Sequence, residues 1–258
     1  MVDHGWAGPY ALPNLVLIGA MKCGTSALHA YLDMHPQIAM SRPKELNFFI
    51  GPDPDNDGDA PARPRWTAGN WSRGLAWYAR HFPASAPVRG ESSPGYTSPS
   101  HPGVATRMAA TVPDARLVYL VRDPIVRALS QYQHHRADGT ERRPIAEALL
   151  DPASQYIARG RYHERLQPFL THFAPEQILV VAQEDLRLQP ASTLRRVFRF
   201  TGADDGFWCE AYARPVARPD DEDPPLDAGL RDRLTCAFRG DASRLRAFAD
   251  QPLPFWSV

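Results

Sequence analysis

The chain has 258 residues, 43% of them hydrophobic and 22% charged, and its 29 basic and 29 acidic side chains cancel to a formal net charge of zero. That length accommodates one α/β domain with a substantial core. The neutral balance excludes a global electrostatic affinity for nucleic acid or an anionic membrane surface, so any anion site must be built locally.

Leu15 to Ile18 form a fully apolar run, as expected of a strand buried on both faces of a parallel sheet. Gly19 and Gly24 bracket a tight loop, and Thr25-Ser26 open a helix through Ala27, Leu28, Tyr31 and Leu32. His35-Pro36 ends it. Ile38 to Met40 reads as a short strand, and Pro43 to Phe49 as one helical turn with Phe48 and Phe49 packed inward. Residues 51–70 are turn-formers with little to bury, read as a mobile surface loop; their aspartates lack the rest of an EF-hand. Leu75 to Phe82 has helical spacing and stops at Pro83. Val88 to Ser92 is a second core strand, Val104 to Thr111 a helix, and Ala115 to Val121 the strongest strand. It runs into Arg122-Asp123-Pro124, and the next helix, Ile125 to Arg136, carries a proline at its first turn.

Pro144 to Leu150, Arg161 to Phe173 and Ala191 to Thr201 read as further helices, and Gln177 to Ala182 as another buried strand. Residues 203–225 are acidic and proline-rich, a second mobile loop. Leu226 to Phe238 and Ala242 to Phe248 close the chain as two helices. Strands alternating with helices predict a parallel sheet with helices on both faces, in one domain over 1–258. Ligands in such sheets bind beyond the C-terminal strand ends, where Gly19–Ser26 and Arg122 both fall.

Strand, glycine-bounded loop and helix N-terminus together make a phosphate cradle of free N–H groups at the positive end of a helix dipole. A Walker A loop reads G-x-x-x-x-G-K-[ST]. Gly19 and Gly24 have that separation, but Thr25 stands where the lysine belongs. The lysine is Lys22, inside the loop, where it would reach a phosphate from a different side, near the bond being broken. Of the 29 basic residues only Lys22 and Lys44 are lysines, and both lie close to this loop in sequence. Cys23, Cys209 and Cys236 form neither a disulfide framework nor a metal-ligand pattern, so free thiols in a reducing compartment are expected. Met1 to Pro13 has no signal-peptide character, and no run approaches the ~18 apolar residues of a membrane span. A soluble, cytoplasmic protein without membrane insertion is the expectation.

The run Ile18-Gly-Ala-Met-Lys22-Cys23-Gly24-Thr25-Ser26-Ala-Leu28 resembles the 5′-phosphosulfate loop of sulfotransferases that use 3′-phosphoadenosine 5′-phosphosulfate (PAPS). The likeness is to the heparan-sulfate N- and 3-O-sulfotransferase branch and its bacterial relatives. It implies that Lys22, with the amides of Cys23 to Ser26 and the hydroxyls of Thr25 and Ser26, holds the 5′-phosphate. Lys44-Glu45-Leu46-Asn47-Phe48-Phe49 is similar to the family's K-E-x-x-F-F segment, whose glutamate is the catalytic base; alone, Glu45 beside Lys44 reads as a solvated surface pair. Arg122 to His134 resembles the 3′-phosphate motif, in which an arginine and a downstream serine, here Arg122 and Ser130, bind the 3′-phosphate. A guanidinium fork suits phosphate oxygens. His134 matches a histidine that assists catalysis in the N-sulfotransferase version. Trp77 to Pro83 and Gly90 to Tyr96 look like the W-Y-x-x-x-F-P and G-E-x-S-P-x-Y segments near the acceptor cleft. Arg159-Gly160-Arg161-Tyr162 resembles R-G-x-Y, whose tyrosine approaches the nucleotide.

One segment departs from the family. Where vertebrate members carry a late K-G-R loop, this chain reads Arg218-Pro-Asp-Asp-Glu-Asp223, with Arg214 or Arg218 as candidate substitutes; the following helix start is present at Pro224-Pro225-Leu226-Asp227. The resemblance implies a cytoplasmic relative of Golgi-anchored enzymes, transferring a sulfuryl group from PAPS to a saccharide or small-molecule hydroxyl or amine, with no metal required. Two alternatives stand beside it. One is a P-loop kinase using ATP, with Asp123 as magnesium ligand; the other is a non-catalytic nucleotide-binding module in which Glu45 is incidental.

Overall fold

The computed structural model describes residues 9–51, 69–214 and 226–258. Its centre is a parallel sheet of five strands: β1 (Leu15–Gly19), β2 (Ile38–Met40), β3 (Val88–Ser92), β4 (Arg116–Val121) and β5 (Ile178–Ala182), in the order β2-β3-β1-β4-β5. All five were expected, β1, β2, β4 and β5 from apolar runs and β3 (Val-Arg-Gly-Glu-Ser) without one. β1 sits in the middle and is buried along its whole length, which is why it carries no polar side chain at all.

The helices are α1 (Thr25–Asp33), α2 (Gly74–Ala79), α3 (Val104–Thr111), α4 (Pro124–Ala137), α5 (Ile145–Leu150), α6 (Gln155–Gly160), α7 (Tyr162–Leu170), α8 (Gln183–Leu188), α9 (Pro190–Thr201) and α10 (Ala228–Ala249). From β1 the chain steps toward one sheet edge to reach β2, then back across β1 from β3 to β4. Crossovers that leave β1 in opposite directions put helices on both faces when each keeps the usual right hand. Beside the main core, Ile125, Leu129, Leu149, Tyr156, Leu234 and Phe238 form a second cluster among α4, α5, α6 and α10.

The structure differs from the sequence reading in three places. Residues 43–49 are irregular rather than helical, because Glu45 (φ 63°) and Asn47 (φ 47°) are left-handed; Phe48 and Phe49 are nonetheless fully buried. The closing segment is one helix, α10, not two. Its buried residues Leu230, Leu234, Phe238, Asp241, Ala242 and Leu245 keep one face across Gly240. Finally, α6 and α8 are short helices that were not expected from the residue pattern.

Most of the loop expected at 51–72 and the part of the second at 215–225, Arg218 and Pro224-Pro225 included, lie outside the described residues. Residues 203–214 are tied to α1 and its C-terminal exit: Tyr212 donates to the Tyr31 carbonyl (3.1 Å), and Asp204 N–H to Gln37 Oε1 (2.7 Å). Asp227 caps α10 through Leu230 N–H (2.8 Å). All three cysteines are free thiols. No helix among the described residues is long and apolar enough to cross a membrane.

Candidate active site

The loop Gly19–Ser26 leaves the C-terminal end of β1, with the ends of β3 and β4 on either side. Connections depart in opposite directions here, which opens the crevice where open α/β sheets bind ligands. Lys22 (φ 70°) and Gly24 (φ 87°) are both left-handed. Gly24 is required twice over, since a Cβ there would also stand 3.1 Å from Gln183 Cγ at the start of α8. Gly24 is the N-cap of α1, and no side chain caps the helix. The Ala27 and Leu28 amides donate to the Gly24 carbonyl (3.0 and 3.2 Å), which leaves the Thr25 and Ser26 amides without an acceptor in the helix, at the positive end of its dipole. The Cys23 amide instead donates to the Ala20 carbonyl (3.2 Å). Burial pushes the Cys23 thiol up to about 11, with Tyr162 Oη 3.4 Å away, so it is a packed thiol at neutral pH. Thr25 is buried, Lys22 is half-buried and Ser26 is exposed.

On the β4 side, Arg122 follows the last strand residue. Tyr162, fully buried, donates to the Arg122 carbonyl (2.8 Å) and receives its N–H (3.4 Å). One hydroxyl thus links the Arg122 backbone to Cys23 in the loop. Asp123 does not neutralise Arg122. Its Oδ1 caps α4 through Ile125 N–H (2.9 Å) and Val126 N–H (3.1 Å), and its Oδ2 accepts from Ser257 N–H (2.5 Å). Both carboxylate oxygens are occupied by amides, while the Arg122 guanidinium pairs with no carboxylate among the described residues. Arg127, Ser130 and His134 follow at i, i+3 and i+7 along one face of α4. Arg127 is fully buried, bonding Gln131 Oε1 (2.7 Å) and the Tyr156 carbonyl. Ser130 is half-buried, and His134 is exposed with Nε2 3.9 Å from Asp138.

On the β3 side stands Glu45, half-exposed, its Oε1 2.5 Å from Lys44 Nζ. Its amide donates to the Ser92 carbonyl (3.0 Å). The same Ser92 bonds His29 Nδ1 through its hydroxyl (2.9 Å). Burial, then the charge of Lys44, push the His29 imidazole down to about 4. Behind Glu45, the fully buried Glu91 takes hydrogen bonds from Tyr78 (2.5 Å), Tyr96 (2.7 Å) and Ser93 (2.9 Å). Burial raises its carboxyl above the usual range, and the three hydroxyls only partly offset that. A further cation closes the site: Arg159 bonds Ser98 Oγ (2.9 Å) and Gln155 Oε1 (2.5 Å), with Nη1 3.7 Å from Met21 Sδ in the loop. Burial and then Arg127 pull its guanidinium down to about 10.

A glycine loop with an internal lysine, a carboxylate on one side and an unpaired arginine on the other can hold a polyanion while a proton is removed beside it. A sequence model described as the sulfotransferase family matches residues 13–206. The chain belongs to the sulfotransferase family. It is 29% identical over 289 residues to bifunctional heparan sulfate N-deacetylase/N-sulfotransferase 2 of Bos taurus, covering 95% of this chain but 30% of that protein. It is 30% identical over 206 residues to heparan sulfate glucosamine 3-O-sulfotransferase 3B1 of Mus musculus, covering 76% of this chain and 47% of that one. The chain therefore spans less than half the length of these curated relatives. Among solved structures, a sulfotransferase from Alicyclobacillus acidocaldarius superposes with a TM-score of 0.78 at 29% identity, covering 96% of this chain and 100% of that one.

In this sulfotransferase-family chain the loop residues, Glu45 and Arg122 share one edge of the sheet. Ser130 and His134 lie farther along α4, the helix that follows β4. Sequence reading missed His29, Glu91 and Arg159 as site residues. Glu91 and Arg159 stand inside segments that the family likeness marks, but only the fold shows what they touch. His29 has no sequence signal: a single helical histidine becomes informative only when β3 brings Ser92 to it.

Proposed function

We propose that the chain transfers a sulfuryl group from PAPS, in line, to a hydroxyl or amine. The observation that carries this reading is the arrangement around the β1 loop: Glu45 on the β3 side, and on the β4 side an Arg122 that no carboxylate neutralises. Fit to a doubly phosphorylated donor is supported by Arg159, a second guanidinium at this edge without an acidic partner among the described residues. PAPS supplies an activated sulfuryl group on a phosphate leaving group. Lys22 and the first-turn amides of α1 neutralise the charge that grows on that phosphate. Glu45 accepts the proton of the acceptor O–H or N–H, in the role of a positioned base. Arg122 and Ser130 take the 3′-phosphate, Thr25 and Ser26 lend hydroxyls to the 5′-phosphate, Tyr162 holds Arg122 in place, and His134 takes an assisting role on the family likeness alone.

The relatives named above point to a saccharide glucosamine as the acceptor class. The free thiols fit a reducing, cytoplasmic setting, and one domain over 1–258 is the simplest organisation. The kinase reading finds no support in Asp123, whose two oxygens are both committed to backbone amides. Calorimetric titration with 3′-phosphoadenosine 5′-phosphate, against ATP–magnesium, tests the donor. Tight binding of the bisphosphate is expected, with at least tenfold loss in Arg122→Ala and Lys22→Ala. Preference for ATP–magnesium would sink the reading.

A further inference from the structure

The segment that carries Glu45 has an unfavourable backbone. Glu45 and Asn47 are both left-handed, a conformation that is unfavourable for a residue with a side chain and persists when the surroundings dictate it. The surroundings here are the exit of β3. Alternate amides of the segment hang on it: Glu45 N–H on the Ser92 carbonyl (3.0 Å), Asn47 N–H on Ser93 Oγ (3.0 Å), Phe49 N–H on Tyr96 Oη (3.4 Å). Two of these three acceptors are hydroxyls, and a hydroxyl accepts from an amide in a fixed direction only if its own proton is committed elsewhere. Both commit it to Glu91, Ser93 to Oε2 and Tyr96 to Oε1. Tyr78 donates to Glu91 Oε1 as well, and its ring stacks on Phe48 with centroids 4.0 Å apart and planes 7° from parallel.

We propose that Glu91 is a positioning residue for the transfer reaction, the terminal acceptor that orients Ser93, Tyr96 and Tyr78 so that they fix the backbone of residues 45–49 and thereby the Glu45 carboxylate. The inference rests on the reading of Glu45 as base. An ionised carboxylate only accepts, so all three hydroxyls can point at it together. A glutamine in its place must donate from its NH₂. At least one hydroxyl then turns its proton outward, toward the amide it is supposed to receive.

Two measurements on Glu91→Gln test this. Amide hydrogen exchange compares the peptide spanning residues 44–50 with peptides from β1 and β4. Exchange over 44–50 is expected to quicken at least tenfold, with β1 and β4 unchanged. Transfer is followed as release of 3′-phosphoadenosine 5′-phosphate from PAPS, with an N-deacetylated heparosan oligosaccharide as the probe acceptor, in wild type, E91Q, E45Q and the double variant. A kcat at least tenfold lower in E91Q, with KM for PAPS unchanged and no further loss when E91Q is added to E45Q, supports the proposal. Unchanged exchange over 44–50 overturns it, as does equal quickening in β1 and β4, or losses that multiply in the double variant. E45Q with wild-type turnover sinks the base reading instead, and exchange alone then decides what Glu91 holds. If E91Q does not fold, Tyr96→Phe keeps the ring and removes one hydroxyl. Quickened exchange confined to 44–50 is again expected, and its absence counts against the proposal.

Discussion

His29 shows how much one side chain's surroundings matter. It stands on α1, one turn past Thr25, with Ser92 at its Nδ1 and Lys44, Asp33, Arg42 and Glu45 as its charged neighbours. Burial and Lys44 outweigh the two carboxylates, and the imidazole falls to about 4. Its folded-state value is thus below the unfolded one, so between about pH 6.5 and pH 4 the unfolded chain binds the extra proton. Stability from this residue is complete above about pH 6.5 and drains away as pH falls toward 4. Partial exposure tempers the effect to on the order of 1 kcal/mol at pH 5. His29→Asn keeps a polar atom near Ser92 and removes the titration. Urea unfolding at pH 7 and pH 5 should then show a drop in wild type that is smaller in the variant by about that amount. An equal drop in both would clear His29 of the role.

At the scale of elements, α10 is the instructive case. Arg239-Gly240-Asp241 reads in sequence as a stop followed by a new N-cap, because glycine ends helices and aspartate starts them. The aspartate is indeed a cap, but of another helix: Asp241 Oδ2 accepts from His163 N–H and Oδ1 from Glu164 N–H, each at 2.9 Å, at the start of α7. A local rule cannot reveal a cap supplied from about eighty residues away in the chain. The same reason hides α6 and α8, which are too short to show a period. It also hides the left-handed Glu45 and Asn47, whose pose is imposed by β3. Two substitutions separate the neighbours. Asp241→Ala should cost about 1–2 kcal/mol in denaturant unfolding, by leaving two part-buried amides at the head of α7 without their cap. Gly240→Ala, where an added Cβ meets only Arg244 Nη1 at 3.8 Å, should stabilise by about 0.5–1 kcal/mol. A destabilising Gly240→Ala would mean that α10 bends there.

At the scale of the whole molecule, zero net charge conceals a local excess. Four of the strands are legible in sequence because buried parallel strands are continuous apolar runs, whereas β3 carries Arg89, Glu91 and Ser92; the loop is legible because a phosphate cradle needs glycines at fixed spacing. The order β2-β3-β1-β4-β5 is not, since pairing between distant strands leaves no local mark, and that order is what sets Glu45 and Arg122 on opposite sides of one loop. It also gathers Lys22, Arg122 and Arg159 at a single edge, the two arginines without acidic partners among the described residues. Like charges held together in a partly dry crevice destabilise the folded chain, and a polyanion that binds there removes the cost. Stability should therefore depend on ligand. At a hundredfold excess over Kd, a bound bisphosphate adds about 2.7 kcal/mol, which for a chain of this size raises Tm by roughly 5–10 °C. A thermal melt with and without 3′-phosphoadenosine 5′-phosphate measures it. Lys22→Ala and Arg122→Ala should lose about half of the shift or more at the same ligand concentration, because each weakens binding at least tenfold. Adenosine 5′-monophosphate, which lacks the 3′-phosphate, should give a smaller shift that Arg122→Ala barely alters. If the monophosphate and the bisphosphate stabilise equally, Arg122 has no phosphate to hold and the β4 half of the site must be reassigned.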